Sequence, residues 1–273
     1  MSVWEEIRIK ETIQISAGKT LTAFFSGLLM GAAAGLIGVG GGEFRIPILL
    51  YALGLPIIMA VAVNLLVGLL TAIVSFLIRF QLGLLNGHSF NLAFAMSLGS
   101  IVGAYLGALL TGRIPEKPIK KVLAIFLVIV GLKIGLEPFI QTPTFQFSLG
   151  FVEEIALAVL VGLAIGVISG TLGVAGGEFR IPILMYIFGL NIRAAGTTSL
   201  LVSVPTVATG FIKHQNMRHM NQNAIIIALT MGIGSIIGAF IGTSYASIVD
   251  EHVLKMLLGA ILILATVRMV TKP

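Results

Sequence analysis

Two acids and two arginines stand inside apolar sequence, and they stand there in the same nine-residue setting twice. Gly41-Gly42-Glu43-Phe44-Arg45-Ile46-Pro47-Ile48-Leu49 recurs 135 positions later as Gly176-Gly177-Glu178-Phe179-Arg180-Ile181-Pro182-Ile183-Leu184. Charges beside long apolar runs are costly in lipid, so they face a partner or a wet cavity. Doubling a glycine-broken charged element is a way secondary transporters build a central site. The glycines permit a sharp turn, and a proline lacking its amide hydrogen suits the first turn of a helix. The motif therefore reads as the start of a half-helix whose free amides and dipole favour an anion.

Arg45 and Arg180 add planar, permanently charged forks suited to oxyanions. Glu43 and Glu178 are two residues from their own arginines, a spacing that does not let them face each other on a helix. Each Glu is better placed to pair with the Arg of the other copy. Three roles stay open for these charges: a crossed Glu–Arg clamp, direct contact with substrate, and proton coupling through a Glu. A second polar patch follows the motif, where Asn64 matches Ser199 and Thr197 and Thr198 precede the latter. These groups either bridge helices or give an anion neutral hydrogen bonds. The candidate binding residues are thus Gly41, Gly42, Glu43, Arg45, Asn64, Gly176, Gly177, Glu178, Arg180, Thr198 and Ser199.

The elements that must hold these residues are membrane helices. The chain is 57% hydrophobic and 10% charged, against about 25% charged in a typical soluble domain. About 20 apolar residues cross a bilayer, and alternation is too poor for a barrel. The net charge of +6 reports loop sidedness rather than affinity for nucleic acid. Cysteine is absent, which excludes disulfides and thiolate metal sites. The histidines His88, His214, His219 and His252 lack a metal-site spacing, and neither a phosphate-binding loop nor a nucleophile–base set is present. Neither a cofactor nor an enzymatic activity is expected. The expected partners are a small anion and membrane lipids, with self-association left open.

The duplication covers nearly the whole chain. Gly27, Gly31, Gly35 and Gly38 match Gly162, Gly166, Gly170 and Gly173, and Gly99, Gly103 and Gly107 match Gly234, Gly238 and Gly242. We divide the chain into an interfacial segment (1–19), a first repeat (20–138), a linker (139–154) and a second repeat (155–272). Each repeat holds four long apolar segments, at 20–38, 57–80, 90–111 and 119–138 and at 155–173, 191–212, 223–245 and 252–270. A short apolar piece follows each break, at 44–54 and 179–189. Glycines four apart let helices approach closely.

Loop charges suggest that the copies are inverted. Arg113, Lys117, Lys120 and Lys121 fall in one loop of the first copy, whereas Lys213 and Arg218 fall one loop earlier in the second. If such loops are cytoplasmic, both termini are cytoplasmic too. Inversion needs an odd number of crossings per copy, which a re-entrant or broken helix near Gly40 and Gly54 would supply. The expected fold is an all-α membrane protein of two inverted repeats, each of about four transmembrane helices with a half-helix at its glycine-rich motif.

Gly40-Gly41-Gly42, Pro47, Leu49, Gly54-Leu55 and Leu65-Leu66, with Gly176-Gly177, Pro182, Leu184, Gly189-Leu190 and Thr198-Ser199-Leu200-Leu201, resemble the TauE/SafE family of sulfite exporters, also called the 4-toluene sulfonate uptake permease family. The resemblance spans both halves. It implies a multi-pass permease of the inner membrane for sulfur-containing anions such as sulfite, thiosulfate or organosulfonates, working by alternating access. The commoner family pattern is apolar where Glu43, Arg45, Glu178 and Arg180 stand, and has Ser at the place of Asn64. An anion channel or a permease for a non-sulfur anion is the alternative reading, and an intramembrane enzyme is a more distant one.

Overall fold

A computed structural model describes residues 16–110, 116–139, 150–217 and 220–271. Among them are ten helices in two sets of five. The first set is α1 (Ala17–Ile37), α2 (Gly42–Pro47, continued by a π-helical turn over Ile48–Ala52), α3 (Ile57–Gln81), α4 (Gly87–Leu110) and α5 (Glu116–Leu136). The second is α6 (Phe151–Leu172), α7 (Gly177–Tyr186), α8 (Ile192–Asn216), α9 (Gln222–Ser244) and α10 (Glu251–Thr271). From α2 onward each helix of the second set starts 135 residues after its counterpart, the spacing of the sequence repeat. Local chemistry repeats as well. Asn86 and Asn221 accept the amides of Ser89 and Ala224 at the starts of α4 and α9, as helix-capping amides do.

Helices α1, α3, α4, α6, α8 and α9 are each long and apolar enough to cross a membrane. α3 and α8 are the most buried of the six and form the centre. Outward faces carry Leu21, Phe25 and Leu29 on α1, Phe94 and Leu98 on α4, Leu160 on α6 and Phe240 on α9, all well exposed. Large apolar side chains around the whole perimeter suit a protein solvated by lipid. The chain is a multi-pass membrane protein.

The two sets interlock. α1 of the first packs along α9 of the second, and α6 packs along α4. The glycines four apart make both seams. Gly27, Gly31 and Gly35 lie over Met231, Ser235 and Ala239, while Gly234, Gly238 and Gly242 lie over Phe24, Leu28 and Ala32. A Cβ added to Gly31 would stand 2.3 Å from the carbonyl oxygen of Ser235. Close backbone approach of this kind is the packing mode of membrane helices. Residue numbers rise together along each seam, so the paired helices are parallel.

The central pair runs the other way. Arg79 of α3 meets Gly196 and Thr197 of α8, Gly68 meets Val207, and Leu65 meets Gly210. α5 and α10 are antiparallel too, with Glu137 on Lys255 and Gly131 beside Leu262. Arg79, at the end of α3, donates to the carbonyls of Gly35 and Leu36 at the end of α1. α1 and α3 therefore finish at one level, and short α2 is the return stroke between them. Five strokes per set is an odd number, and these directions agree with the inverted arrangement.

The half-helices begin earlier than the motif suggests. The proline occupies the sixth position, not the first turn, because a left-handed glycine at Gly41 (φ 68°) or Gly176 (φ 75°) starts the helix at the following residue. Glu and Arg thus lie inside the first turns. Ser16 caps α1 through the Lys19 amide, so residues 17–19 are helical. The remainder of the expected interfacial segment, Arg113, Arg218, His219, Lys272 and most of the linker fall outside the described residues.

Candidate functional site

The two glycine-rich breaks meet at the centre of the molecule. A Cβ on Gly40 would stand 2.6 Å from that of Ala175, and one on Gly177 would stand 2.4 Å from the carbonyl oxygen of Val39. Each break also rests on the third helix of the opposite set. Gly38 lies against Gly196 of α8, and Gly173 lies against Val61 of α3. Backbone that leaves the helical path inside a membrane needs such cover from protein.

Both arginines are fully buried, and neither pairs with a Glu of the other copy. Arg45 donates from Nε to Asn64 Oδ1 at 2.9 Å, from one terminal nitrogen to Thr71 (3.1 Å) and Ser235 (3.3 Å), and from the other to the Gly40 carbonyl. Arg180 donates to the Ser199 carbonyl (3.0 Å), the Ser203 hydroxyl (2.9 Å) and the Ala175 carbonyl (3.4 Å). Each guanidinium thus ties the break of its own copy to the long helix that follows. The expected crossed clamp is not formed. The reason is geometric: the arginine points back along its own half-helix, where carbonyls and hydroxyls satisfy it without an acid. Burying a guanidinium without such donors' partners would cost on the order of several kcal/mol.

Asn64 joins the copies. Its oxygen holds Arg45 while its amide nitrogen donates to the Gly173 carbonyl in the other break at 2.6 Å. Gly42 makes room for this bond, since a Cβ there would stand 2.7 Å from the Asn64 amide nitrogen and push it aside. Within the second copy, Ser169 donates to the Val174 carbonyl.

The carboxyls are left over. All four oxygens of Glu43 and Glu178 are buried without a hydrogen-bond partner among the described residues, as are Arg180 Nε and the hydroxyls of Thr198 and Ser199. Glu43 and Glu178 stand in the first turns of α2 and α7, one beside each break. Buried polar groups are normally satisfied, and these fall on α2, α7 and α8; the Ser75, Ser89 and Thr243 hydroxyls, on α3, α4 and α9, are likewise without a partner among the described residues.

Several contributors were not singled out from sequence. Thr71, Ser203 and Ser235 complete the arginine shells, and Arg79 pins the end of α1 while also donating to the Arg193 carbonyl and Thr197. The 135-residue spacing held a clue, because Thr71 matches Thr206, Ser100 matches Ser235 and Arg79 matches His214, which is also buried. A separate apolar groove lined by Phe76, Phe90, Phe94, Leu98 and Pro205 opens on the outer face and includes none of the motif residues.

The two sets differ in cover. Ile181 and Leu184 of α7 pack in a cluster that includes Leu127 and Ile134 of α5 and Leu254, Leu258 and Leu262 of α10. Leu49 and Leu53, beyond α2, pack with residues of α1, α3 and α9 instead. Glu137 binds Lys255 (2.5 Å) and Tyr186 (2.7 Å), and Lys133 lies over the Tyr186 ring. This polar latch ties α7 to α5 and α10. The equivalent of Tyr186, Tyr51, is 58% exposed.

The family model described as Sulfite exporter TauE/SafE matches residues 2–134 and 148–273. The chain belongs to the TauE/SafE family. That is a family of membrane transporters rather than enzymes. The Bacillus subtilis (strain 168) probable membrane transporter protein YdhB is 27% identical over 145 residues, 53% of this chain and 58% of that protein. YunE of the same organism, also a probable membrane transporter protein, is 23% identical over 153 residues, 51% and 55%. The probable membrane transporter protein MamO of Paramagnetospirillum magneticum (strain ATCC 700264 / AMB-1) is 27% identical over 129 residues, 45% and 20%. The chain therefore spans less than two thirds of each of these relatives. No solved structure matches it significantly.

Proposed function

We propose that this protein is a secondary transporter that moves a small sulfur-containing oxyanion, such as sulfite, thiosulfate or an organosulfonate, by alternating access around its two Gly-Glu-Phe-Arg elements. The observation that carries the reading is the cluster of buried, unpartnered polar atoms on Glu43, Glu178, Arg180, Thr198 and Ser199. Arg180 Nε and the hydroxyls can donate to an oxyanion, and the glycines Gly41, Gly42, Gly176 and Gly177 let backbone approach it. Arg45 and Asn64 position the breaks rather than hold substrate.

Unequal cover of two half-helices with the same sequence supports alternating access. One state buries α7 beneath α5 and α10, and rocking would exchange which half-helix is covered. The chain sits in the cell's inner membrane, with both termini cytoplasmic by the loop charges.

Reconstitution into liposomes tests the reading. Uptake of labelled sulfite, thiosulfate or toluenesulfonate should saturate with concentration and compete among these anions. Uptake rising linearly without saturation would indicate a channel, and no uptake of any of them would refute the substrate class.

A further inference from the structure

We propose that α5 and α10 form the moving lid of the transporter, and that two polar ties found on only one side rest this lid over α7. This deepens the transport reading and rests on it. The pair is built as a unit. Its helices pack chiefly on each other, and they touch the rest of the molecule mainly through α7, α1 and α8. At their crossing Gly131 and Gly259 bring backbone against backbone. A Cβ on Gly259 would stand 2.6 Å from the Gly131 carbonyl oxygen and 2.7 Å from the Gly135 Cα. Small residues hold membrane helices together through such close approach.

The apolar half of the lid's contact is repeated in the sequence, and the polar half is not. Over α7, Ile181 and Leu184 are buried in one cluster with Leu127 of α5 and Leu254, Leu258 and Leu262 of α10. Shifted by the repeat, these positions become Ile46 and Leu49, with Leu262, Ile119, Leu123 and Leu127, again all apolar. The same lid can therefore cover either half-helix with hydrophobic surface. The polar ties are one-sided. Glu137 accepts from Lys255 at 2.5 Å and from Tyr186 at 2.7 Å, and Lys133 stands 3.8 Å over the Tyr186 ring. Arg193 of α8 lies 3.5 Å from Glu251 at the start of α10 and donates to the Val249 carbonyl at 2.9 Å. The repeat equivalents of Glu137, Lys255 and Lys133 are Lys272, Lys120 and Arg268, cations with no acid among them. Arg193 and Glu251 correspond to Ile58 and Glu116, which cannot pair.

Equal apolar cover with unequal ties sets the balance between the two states. A lid seated on α2 would set Tyr51 before a group of like charges instead of a carboxylate, and Coulomb repulsion opposes that. It would also set Glu116 before the apolar Ile58. The state with α7 covered is therefore the lower in free energy, with Tyr186 half-buried and Tyr51 58% exposed. Partly solvated ion pairs are individually modest. The ties thus tilt the lid toward α7 without locking it, and the other state stays within reach of the cycle.

The test exploits the absence of native cysteine. In proteoliposomes taking up labelled thiosulfate, Glu137→Cys is combined either with Tyr186→Cys, joining lid to α7, or with Lys255→Cys, joining the lid to itself. Both pairs lose the same carboxyl, so bridging each with a short bifunctional maleimide compares them directly. The bridge from lid to α7 should abolish uptake, and the bridge within the lid should leave it at the unbridged rate. Uptake that survives the first bridge, or is lost with the second, overturns the moving lid. Spin-label distances between Tyr51→Cys and Leu132→Cys then test the ties. Glu137→Gln and Arg193→Met should each add a shorter distance as the lid visits α2. Tyr186→Phe, which removes only a hydroxyl, should shift the distribution the same way by less, and serves if the other variants fold poorly. A distribution unchanged in every variant overturns the ties. If the unbridged protein moves none of the tested anions, the transport reading fails separately, and the distances still decide the lid.

Discussion

At the residue scale, both arginines hold the carbonyls of their own breaks, through Gly40 for Arg45 and Ala175 for Arg180. Sequence spacing showed correctly that Glu43 and Arg45 do not face each other. It could not show where Arg45 goes instead, because its partners Thr71 and Ser235 lie 26 and 190 residues away and a hydroxyl on an apolar helix carries no signature. The meeting of the two breaks was equally hidden, since only the interlock of the two copies creates it. A double-mutant cycle separates the pairings. Arg45→Met and Asn64→Leu should each destabilise the protein, because each orphans buried groups at about 1–3 kcal/mol apiece. Their coupling should lie within about 0.5–3 kcal/mol, read as a change in thermal stability in detergent. Arg45→Met with Glu178→Gln should be closer to additive; strong coupling there would restore the crossed clamp.

At the element scale, the long helices were legible because membrane spans are nearly pure hydrophobic signal. The short half-helices were placed within a few residues, but their starts were misjudged. A left-handed glycine, rather than the proline, sets where each begins. The latch on α7 was not legible, as Glu137, Lys255 and Tyr186 come from three separate helix ends. Burial opposes the charge on Glu137, but hydrogen bonds from Lys255 and Tyr186 and the charges of Lys255 and Lys133 outweigh it, holding the carboxyl below its ordinary 4.5. A lowered value means that the stabilisation is complete above the ordinary carboxylate range and is lost as pH falls through the lower, folded value. Wild type should therefore be more heat-stable than Glu137→Gln at neutral pH, with the gap closing on acidification below 4.5. A gap that stays constant would remove the latch from the account.

At the scale of the whole molecule, duplication was plain from the 135-residue spacing, and the loop charges pointed to inversion. How the copies interlock was not plain. The glycine stripes announced close helix packing without saying that α1 would seek α9 and α6 would seek α4, across the repeat boundary. That exchange places both breaks at one centre and leaves one half-helix largely covered and the other only partly so. Because the chain contains no cysteine, a single introduced thiol reports on that centre without background. Thr198, fully buried here, is the most direct position. In oriented vesicles carrying Thr198→Cys, a membrane-impermeant thiol reagent should label the protein from either side in turn, and thiosulfate should slow labelling from both. Labelling from one side only, or at a rate indifferent to thiosulfate, would contradict alternating access to an anion site between the two repeats.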